Sequence, residues 1–314
     1  MGQDAARAPA AVKFTFVHLL LYCFVLSLVS VAFGQSAQRC AKCGEWNRPQ
    51  KPFRIFGNSY YVGTHGLSSI LITSERGHVL IDGALPQSAA QIANNLRALG
   101  FHIEDVKVIL NSHVHFDHAG GIAELQRLSH ARVVASDWSA NVLRSGRPGT
   151  GDPQYIRGVS IAPVANVGRL HDGEAIRVGE ISIRAHITPG HTPGGTSFTW
   201  KTCEGPICRN MVYADSTTPV SSGAFRFTSS RDYPGAQADF EKSFAFMETT
   251  PCDILITTHP EASLLWERLE ARGKGTFPDP MVNSRACREL AEHGREQLRE
   301  RFAEERRKQS QKAN

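Results

Sequence analysis

The chain has 314 residues, of which 35 are Lys or Arg and 30 are Asp or Glu, so its formal net charge is +5. With 41% hydrophobic residues, this composition fits one large globular domain or two small ones and excludes a disordered or fibrous polymer. The small positive excess gives little support to a polyanionic partner such as nucleic acid.

Residues 1–34 have the pattern of a secretory signal. Arg7 and Lys13 precede the uncharged stretch FTFVHLLLYCFVLSLVSVAF, which ends beside the small residue Gly34. We expect cleavage after Gly34 or three residues later, which leaves a mature domain of residues 35–314 in the periplasm or outside the cell. The alternative is a retained transmembrane anchor, because the stretch is long enough to span a bilayer.

The rest of the chain alternates strand-like and helix-like patterns. Alternating or β-branched apolar runs predict strands at residues 68–73, 77–82, 106–112, 131–136, 175–179, 181–187, 195–200, 210–215 and 253–258. Helical periodicity predicts helices at residues 87–100, 120–128, 236–249, 261–271 and 285–312. Two runs of strands and helices without a repeat favour a layered α/β domain.

A Gly- and Pro-rich stretch at residues 144–163 interrupts these elements. Loops of this length without structure of their own are usually either functional or disordered. Gln154 and Tyr155 within it are therefore candidates for substrate contact.

Six cysteines follow the signal segment, an even number typical of an oxidising compartment. They are Cys40, Cys43, Cys203, Cys208, Cys252 and Cys287. Cys203 and Cys208 bracket EGPI closely enough for a hairpin disulfide, and a bridge from Cys252 to Cys287 would tie a strand to the C-terminal helix. The CxxC pair at residues 40–43 remains open between a disulfide, a redox pair and half of a zinc site.

The strongest functional signal is SHVHFDHAGG, which directly follows the predicted strand at 106–112. It places His113, His115, Asp117 and His118 in one strand-to-helix loop, where side chains can converge on one point. Imidazole and carboxylate at this density indicate a metal site.

Two further histidines lie at strand ends followed by turn residues. His191 lies in ITPGHTPGG and His259 in ILITTHPEAS. Because a metal site draws ligands from several strand ends, both are candidate ligands beside the first cluster.

Together these motifs resemble the metallo-β-lactamase superfamily. The segments NSHVHFDHAGG, PGHTPGG, VYADSTT and THPEAS are most similar to the third subclass of the true metallo-β-lactamases, over about residues 50–290. The resemblance implies a four-layer αββα sandwich with two zinc ions at the sheet edge. It also implies a Cys252–Cys287 disulfide, because that subclass carries such a pair.

The resemblance implies a ligand set for each ion. These are His113, His115 and His191 for the first zinc, and Asp117, His118 and His259 for the second. A zinc-bound hydroxide would then open the β-lactam ring, with Asp117 orienting it or accepting its proton. Ser216 and Thr218 resemble the hydroxyls that contact the substrate carboxylate and a zinc-bound water. The implied substrates are β-lactam antibiotics, including carbapenems.

Two alternatives remain open. In superfamily lactonases and thioester hydrolases an aspartate placed like Asp215 bridges both metals, whereas we favour a supporting role for Asp215 behind the metal ligands. An exported zinc-binding protein without catalysis is the alternative from another class. We expect no nucleic-acid partner, no membrane contact after signal removal, and a monomer.

Other residues in suggestive settings have simpler interpretations. His65 and Trp46 are candidates for the pocket mouth, but we favour a surface or packing role for both. His186 alternates with polar residues on a predicted strand, and we interpret it as structural.

Overall fold

The computed structural model describes residues 2, 40–223 and 225–313, which are arranged around two β-sheets. The signal segment that the sequence predicts lies, apart from Gly2, outside the described residues. The first sheet has seven strands in chain order, β1 (Phe53–Phe56), β2 (Ser59–Tyr61), β3 (Ile70–Ile72), β4 (His78–Ile81), β5 (Val106–Leu110), β6 (Arg132–Ser136) and β7 (Gly168–Leu170). Strands β1 to β4 pair antiparallel, whereas β4 to β7 pair parallel.

The second sheet has five strands in the order β12-β11-β10-β9-β8. They are β8 (Ala175–Val178), β9 (Ile181–Ile187), β10 (Thr196–Glu204), β11 (Ile207–Ala214) and β12 (Ile254–Thr257). Only the β11–β12 pair of this sheet is parallel.

Helices flank the two sheets. They are α1 (Cys43–Trp46), α2 (Ala89–Ala98), α3 (Phe116–Ala119), α4 (Ile122–Ser129), α5 (Asp137–Ser145), α6 (Ala236–Thr249), α7 (Leu265–Gly273) and α8 (Ala286–Ala313). Apolar residues of α2, α4 and α5 pack on the first sheet, and those of α6 and α8 pack on the second. Among the described residues, no helix combines the length and the apolar character that crossing a bilayer requires.

The period-2 alternation of the strands explains why two sheets stack between helices. In β3, Ile70 and Ile72 enter the core between the sheets while Leu71 enters the core under the helices. In β11, Met211 and Tyr213 face the core between the sheets, and the intervening residue faces α6 and α8. Both faces of each sheet are therefore apolar, and the expected αββα sandwich is confirmed.

Most predicted elements are present, with local differences. Strands β1, β2 and β7 carry no prediction, because polar residues or Gly interrupt their short runs, unlike the equally short apolar run of β3. The helix predicted at 261–271 starts late: a 3₁₀ turn at Pro260–Ser263 and a left-handed Leu264, at φ 51°, precede α7. Residues 146–167 form no helix or strand, as expected of the long loop.

Both predicted disulfides are present. Cys203–Cys208 closes the β10–β11 hairpin, and Cys252–Cys287 joins the start of β12 to α8. Cys40 and Cys43 are also disulfide-bonded. The structure thus favours a structural role over a zinc half-site for the CxxC pair.

Candidate metal centre

The six predicted metal ligands meet at one edge of the two sheets. Four of them follow β5, one lies in the turn between β9 and β10, and one follows β12. They fall into two groups of three, His113, His115 and His191 (the first set) and Asp117, His118 and His259 (the second set).

In the first set, the candidate donor nitrogens lie within 4.8 Å of one another. Its ring centroids are 4.7 to 4.9 Å apart. His113 Nε2 is buried, and no hydrogen-bond partner for it exists among the described residues. Such a buried nitrogen costs free energy unless a bound group accepts its lone pair, so this atom fits a metal ligand.

In the second set, one carboxylate oxygen and two imidazole nitrogens face each other. Asp117 Oδ2 lies 3.4 Å from both His118 Nε2 and His259 Nε2, and these two nitrogens are 3.3 Å apart. Three donors at such spacing can bind one ion together.

The protonation states of the two sets suit a metal. Burial holds the pKa of His113 and His118 well below the usual range, and burial together with the neighbouring imidazoles lowers the pKa of His191 to about 3. Burial alone would raise the pKa of Asp117, but the two histidines of its set outweigh burial and hold the pKa below its ordinary value. Three neutral imidazoles and one ionised carboxylate are donors of the kind that zinc prefers, so these residues fit the implied metal.

Each imidazole has an inner ring nitrogen, which faces the other ligand candidates, and an outer one, which faces away from them. In four of the five imidazoles the outer nitrogen contacts an oxygen of the protein. These contacts are His113 Nδ1 with Asp215 Oδ1 at 2.7 Å, His115 Nε2 with Asp152 Oδ1 at 3.0 Å, His191 Nδ1 with the Thr218 carbonyl at 2.7 Å, and His259 Nδ1 with the Gly66 carbonyl at 3.1 Å. An acceptor on the outer nitrogen keeps the proton there and directs the lone pair of the inner nitrogen into the site.

Asp152 is a residue of the site that the sequence did not reveal. It is 2% exposed and lies in the long loop, 37 positions along the chain from its partner His115. Burial lowers the pKa of His115, but the charge and hydrogen bond of Asp152 outweigh burial, so the net shift is upward. A single aspartate in a Gly- and Pro-rich loop has no pattern that identifies it.

Asp82, which was also not predicted, holds the start of the ligand loop. Its carboxylate accepts hydrogen bonds from the Ser112 backbone at 2.8 Å, the Ser112 hydroxyl at 2.6 Å, Asn111 at 3.1 Å and the Tyr213 hydroxyl at 2.8 Å. Burial raises the pKa of Asp82 to about 7, although these hydrogen bonds oppose the rise. Asp82 therefore links the end of β5 to strand β11 of the second sheet.

The predicted substrate contacts Ser216 and Thr218 lie beside the two sets. Ser216 is partly exposed, and its hydroxyl lies 2.9 Å from the Thr258 hydroxyl, next to the second set. Thr218 contacts the first set through its carbonyl, and its hydroxyl is 3.3 Å from His191 Nδ1. The proposed contact of both hydroxyls with substrate remains a prediction.

Gln154 extends from the long loop into the first set. Its amide nitrogen lies 3.3 Å from His115 Nδ1 and 3.2 Å from His191 Nε2. Tyr155 instead lines a cavity of about 340 Å³ between the long loop and residues 222–232. Of the two, only Gln154 contacts the metal-ligand candidates.

The remaining suggestive side chains pack around the centre. Trp46 lies against His259 at a ring distance of 5.1 Å, so it borders the second set. His65 stacks on Trp266 at 5.0 Å, and His186 stacks on α6 from strand β9. These contacts agree with packing roles for His65 and His186.

Comparison with known proteins agrees with this geometry. The family model described as the metallo-beta-lactamase superfamily matches residues 62–259. Among curated proteins, a hydroxyacylglutathione hydrolase of Methylococcus capsulatus is 30% identical over 129 residues, which are 41% of this chain and 41% of that protein. The chain spans about half the length of the curated relatives that it matches.

Solved structures match over more of the chain. The Rm3 metallo-beta-lactamase is 53% identical, with a TM-score of 0.83 over 86% of this chain and 100% of that one. MEM-A1, a subclass B3 metallo-beta-lactamase from a soil metagenome library, is 49% identical, with a TM-score of 0.82 over 84% of this chain and 99% of that one. These similarities support a metal-dependent hydrolase. The chain belongs to the metallo-beta-lactamase superfamily, and within it its strong structural neighbours are the subclass B3 metallo-beta-lactamases.

Proposed function

We propose that the protein is a zinc-dependent β-lactam hydrolase that binds two zinc ions, one in each ligand set. The observation that carries this proposal is the pair of adjacent three-donor sets in a chain that is 53% identical to a metallo-beta-lactamase over that protein's full length. Three protein ligands per ion leave positions for water and substrate, as a catalytic site requires. When bound, such ions lower the pKa of water to about 7 and polarise a carbonyl oxygen.

The residues of the chain orient the donors and move the proton. Asp215 keeps the outer nitrogen of His113 protonated, so Nε2 presents its lone pair to the site. Asp117, ionised and 7% exposed, orients the nucleophilic water and accepts its proton. Ser216, which is partly exposed and lies 2.9 Å from the Thr258 hydroxyl, binds the carboxylate of the antibiotic.

The position of Asp215 favours this proposal over a lactonase or thioesterase. A bridging aspartate would present its carboxylate to both sets, whereas Asp215 Oδ1 contacts the nitrogen of His113 that faces away from them. Only Asp215 Oδ2, which is buried without a hydrogen-bond partner among the described residues, is left for another contact. The similarity to hydroxyacylglutathione hydrolases keeps thioester hydrolysis as the second candidate function, although it covers less than half of the chain.

We further propose that the protein is exported to the periplasm or the cell exterior and that its substrates include carbapenems. The signal-like pattern of residues 1–34 and the disulfides support export, because disulfides persist in oxidising compartments.

The test compares zinc-loaded wild-type protein with two variants on a cephalosporin, a carbapenem, a lactone and a glutathione thioester. We expect β-lactam turnover that a chelator abolishes and zinc restores. Ser216→Ala should retain both ions and lose about tenfold in β-lactam turnover, and Asp215→Ala should retain both ions with weaker affinity for the first. Faster turnover of the thioester or lactone, with complete metal loss in Asp215→Ala alone, would establish the second candidate instead. If the protein binds zinc tightly but turns over none of the four compounds, it is a zinc-binding protein without catalysis.

A further inference from the structure

We propose that Glu305 and Arg301, on the C-terminal helix α8, are positioning residues for the first ligand set. They act through a bridging segment, residues 218–222, that connects α8 to the long loop and to His191. This inference rests on the proposed function in one respect: it takes the first set to be a metal site.

The bridging segment contacts one imidazole of the first set directly and fixes the part of the long loop that supports a second. The Thr218 carbonyl accepts the hydrogen bond of His191 Nδ1 at 2.7 Å. Four residues later, Ser222 donates its backbone N–H to the Pro153 carbonyl and its hydroxyl to the Tyr155 carbonyl, both at 2.9 Å. These two carbonyls flank Gln154, so the segment fixes the loop on both sides of it.

That part of the long loop in turn orients His115. Asp152 Oδ1 lies 3.0 Å from His115 Nε2 and accepts the Gln154 backbone N–H at 2.8 Å. The Tyr155 backbone N–H donates to the Asp152 carbonyl at 3.0 Å. Because Asp152 is buried in a loop without helix or strand, its position depends on these few hydrogen bonds.

Helix α8 anchors the other side of the bridging segment. Arg301 Nη2 donates to the Ser221 hydroxyl at 2.6 Å, and Arg301 Nε donates to Glu305 Oε1 at 2.8 Å. Glu305 is 2% exposed and accepts three more hydrogen bonds, from the Phe227 N–H at 3.2 Å, the Thr228 N–H at 3.0 Å and the Thr228 hydroxyl at 2.9 Å. The guanidinium of Arg301 also lies over the Phe227 ring, 5.8 Å from its centroid.

A buried carboxylate with four donors fixes its partners more firmly than an exposed ion pair would. Burial by itself raises the pKa of Glu305, but the bonds from Thr228 and Arg301 outweigh burial and keep the pKa below its usual value. Glu305 is therefore ionised at neutral pH. No other described residue of α8 makes this many hydrogen bonds to the chain around the bridging segment.

The experiment measures zinc affinity and backbone order in full-length variants. Zinc affinity of the first set is titrated against a chromophoric chelator in a His259→Ala background, in which the second set lacks a donor. Glu305→Ala should weaken this affinity about tenfold, as loss of support behind a metal ligand typically does. Glu305→Gln, which keeps an acceptor for Thr228, should recover part of the loss.

Hydrogen exchange provides a readout that does not depend on metal or activity. In Glu305→Ala the amides of residues 152–155 should exchange faster than in wild type. The matched control is Glu248→Ala. Glu248 of α6 pairs with Arg295 of α8, so this ion pair joins α8 to α6 and not to the bridging segment. Ser222→Ala removes the hydroxyl bond to the Tyr155 carbonyl, one of the two bonds from the bridging segment to the loop, while α8 stays intact. It decides the question if Glu305→Ala does not fold.

Faster exchange at residues 152–155 and weaker first-set affinity in Glu305→Ala and Ser222→Ala, but not in Glu248→Ala, would support the proposal. Unchanged exchange and affinity in both variants would overturn it, as would an equal effect in Glu248→Ala. If instead the proposed function is wrong, the wild-type protein will hydrolyse no β-lactam although residues 152–155 are ordered.

Discussion

The outer nitrogens of the metal-ligand candidates show how single residues prepare the site. Two imidazoles contact a carboxylate and two contact a backbone carbonyl. A carbonyl acceptor depends on the local backbone and not on a replaceable side chain. For His259, that acceptor is the carbonyl of Gly66, whose N–H donates to the Trp46 carbonyl at 3.0 Å. The position of His259 therefore depends on how closely Trp46 approaches Gly66.

We predict that Gly66→Ala weakens zinc binding at the second set. A Cβ at this position would lie 2.6 Å from Trp46 Cα and 2.7 Å from Trp46 Cδ1, so the backbone must shift and move the carbonyl that holds His259. We expect about a tenfold loss of zinc affinity, the size typical of support behind a ligand, measured by chelator competition.

The control for this prediction is Gly44→Ala, in the same N-terminal region. A Cβ there meets nothing within 4 Å, so zinc affinity should be unchanged. Equal affinity for both variants and wild type would show that the Gly66 carbonyl does not position His259.

At the scale of secondary-structure elements, the sequence was most informative where a helical period was long or an apolar run was uninterrupted. Helix α6 spans the predicted residues 236–249, and β12 lies within the predicted strand 253–258. Strand β1 (Phe53–Phe56) is as short as β12 but was missed, because Arg54 interrupts its apolar run.

In the candidate site, the residues that could be predicted are those whose signal lies in their own stretch of sequence. The six ligand candidates could be predicted because four lie in one loop and two end apolar strands. Asp152 could not, because its partner His115 is 37 positions away and only the folded loop brings them together. Asp82 was missed for a similar reason, since its partner Tyr213 lies on the other sheet.

The two disulfides should contribute differently to stability. Cys252–Cys287 closes a separation of 35 residues and joins β12 to α8, whereas Cys203–Cys208 closes a separation of 5 within one hairpin. In the chain-entropy model the longer loop stabilises by about 4 kcal/mol and the shorter one by about 2 kcal/mol. The double variant Cys252→Ser/Cys287→Ser should therefore lose about twice as much free energy of unfolding in urea as Cys203→Ser/Cys208→Ser. Equal losses would contradict the chain-entropy explanation.

On the scale of the whole molecule, each ligand set draws on both sheets. His113 and His115 follow a strand of the first sheet, and His191 lies between two strands of the second. Likewise, Asp117 and His118 lie in the short helix α3, which follows the same strand of the first sheet, and His259 follows a strand of the second. A metal in either set would therefore link the two halves of the sandwich at the edge where they meet.

We therefore predict that zinc stabilises the whole domain and not only the ligand loop. Free zinc at 100 times its Kd should add about 2.7 kcal/mol per site to the free energy of unfolding, provided that zinc binds only the folded chain. Thermal unfolding of zinc-loaded and chelated protein measures the effect as a rise in Tm. The rise should shrink as the pH falls through the raised pKa of His115, because protons then compete with zinc for that imidazole. The lowered pKa values of His113, His118 and His191 keep those rings neutral to lower pH.

The double variant His191→Ala/His259→Ala is the control, since it removes from each set the ligand that the second sheet supplies. In this variant zinc should no longer raise Tm, although four ligand candidates remain on the loop after β5. The same rise in Tm as in wild type would mean that the loop alone binds zinc, and that the metal does not join the two sheets.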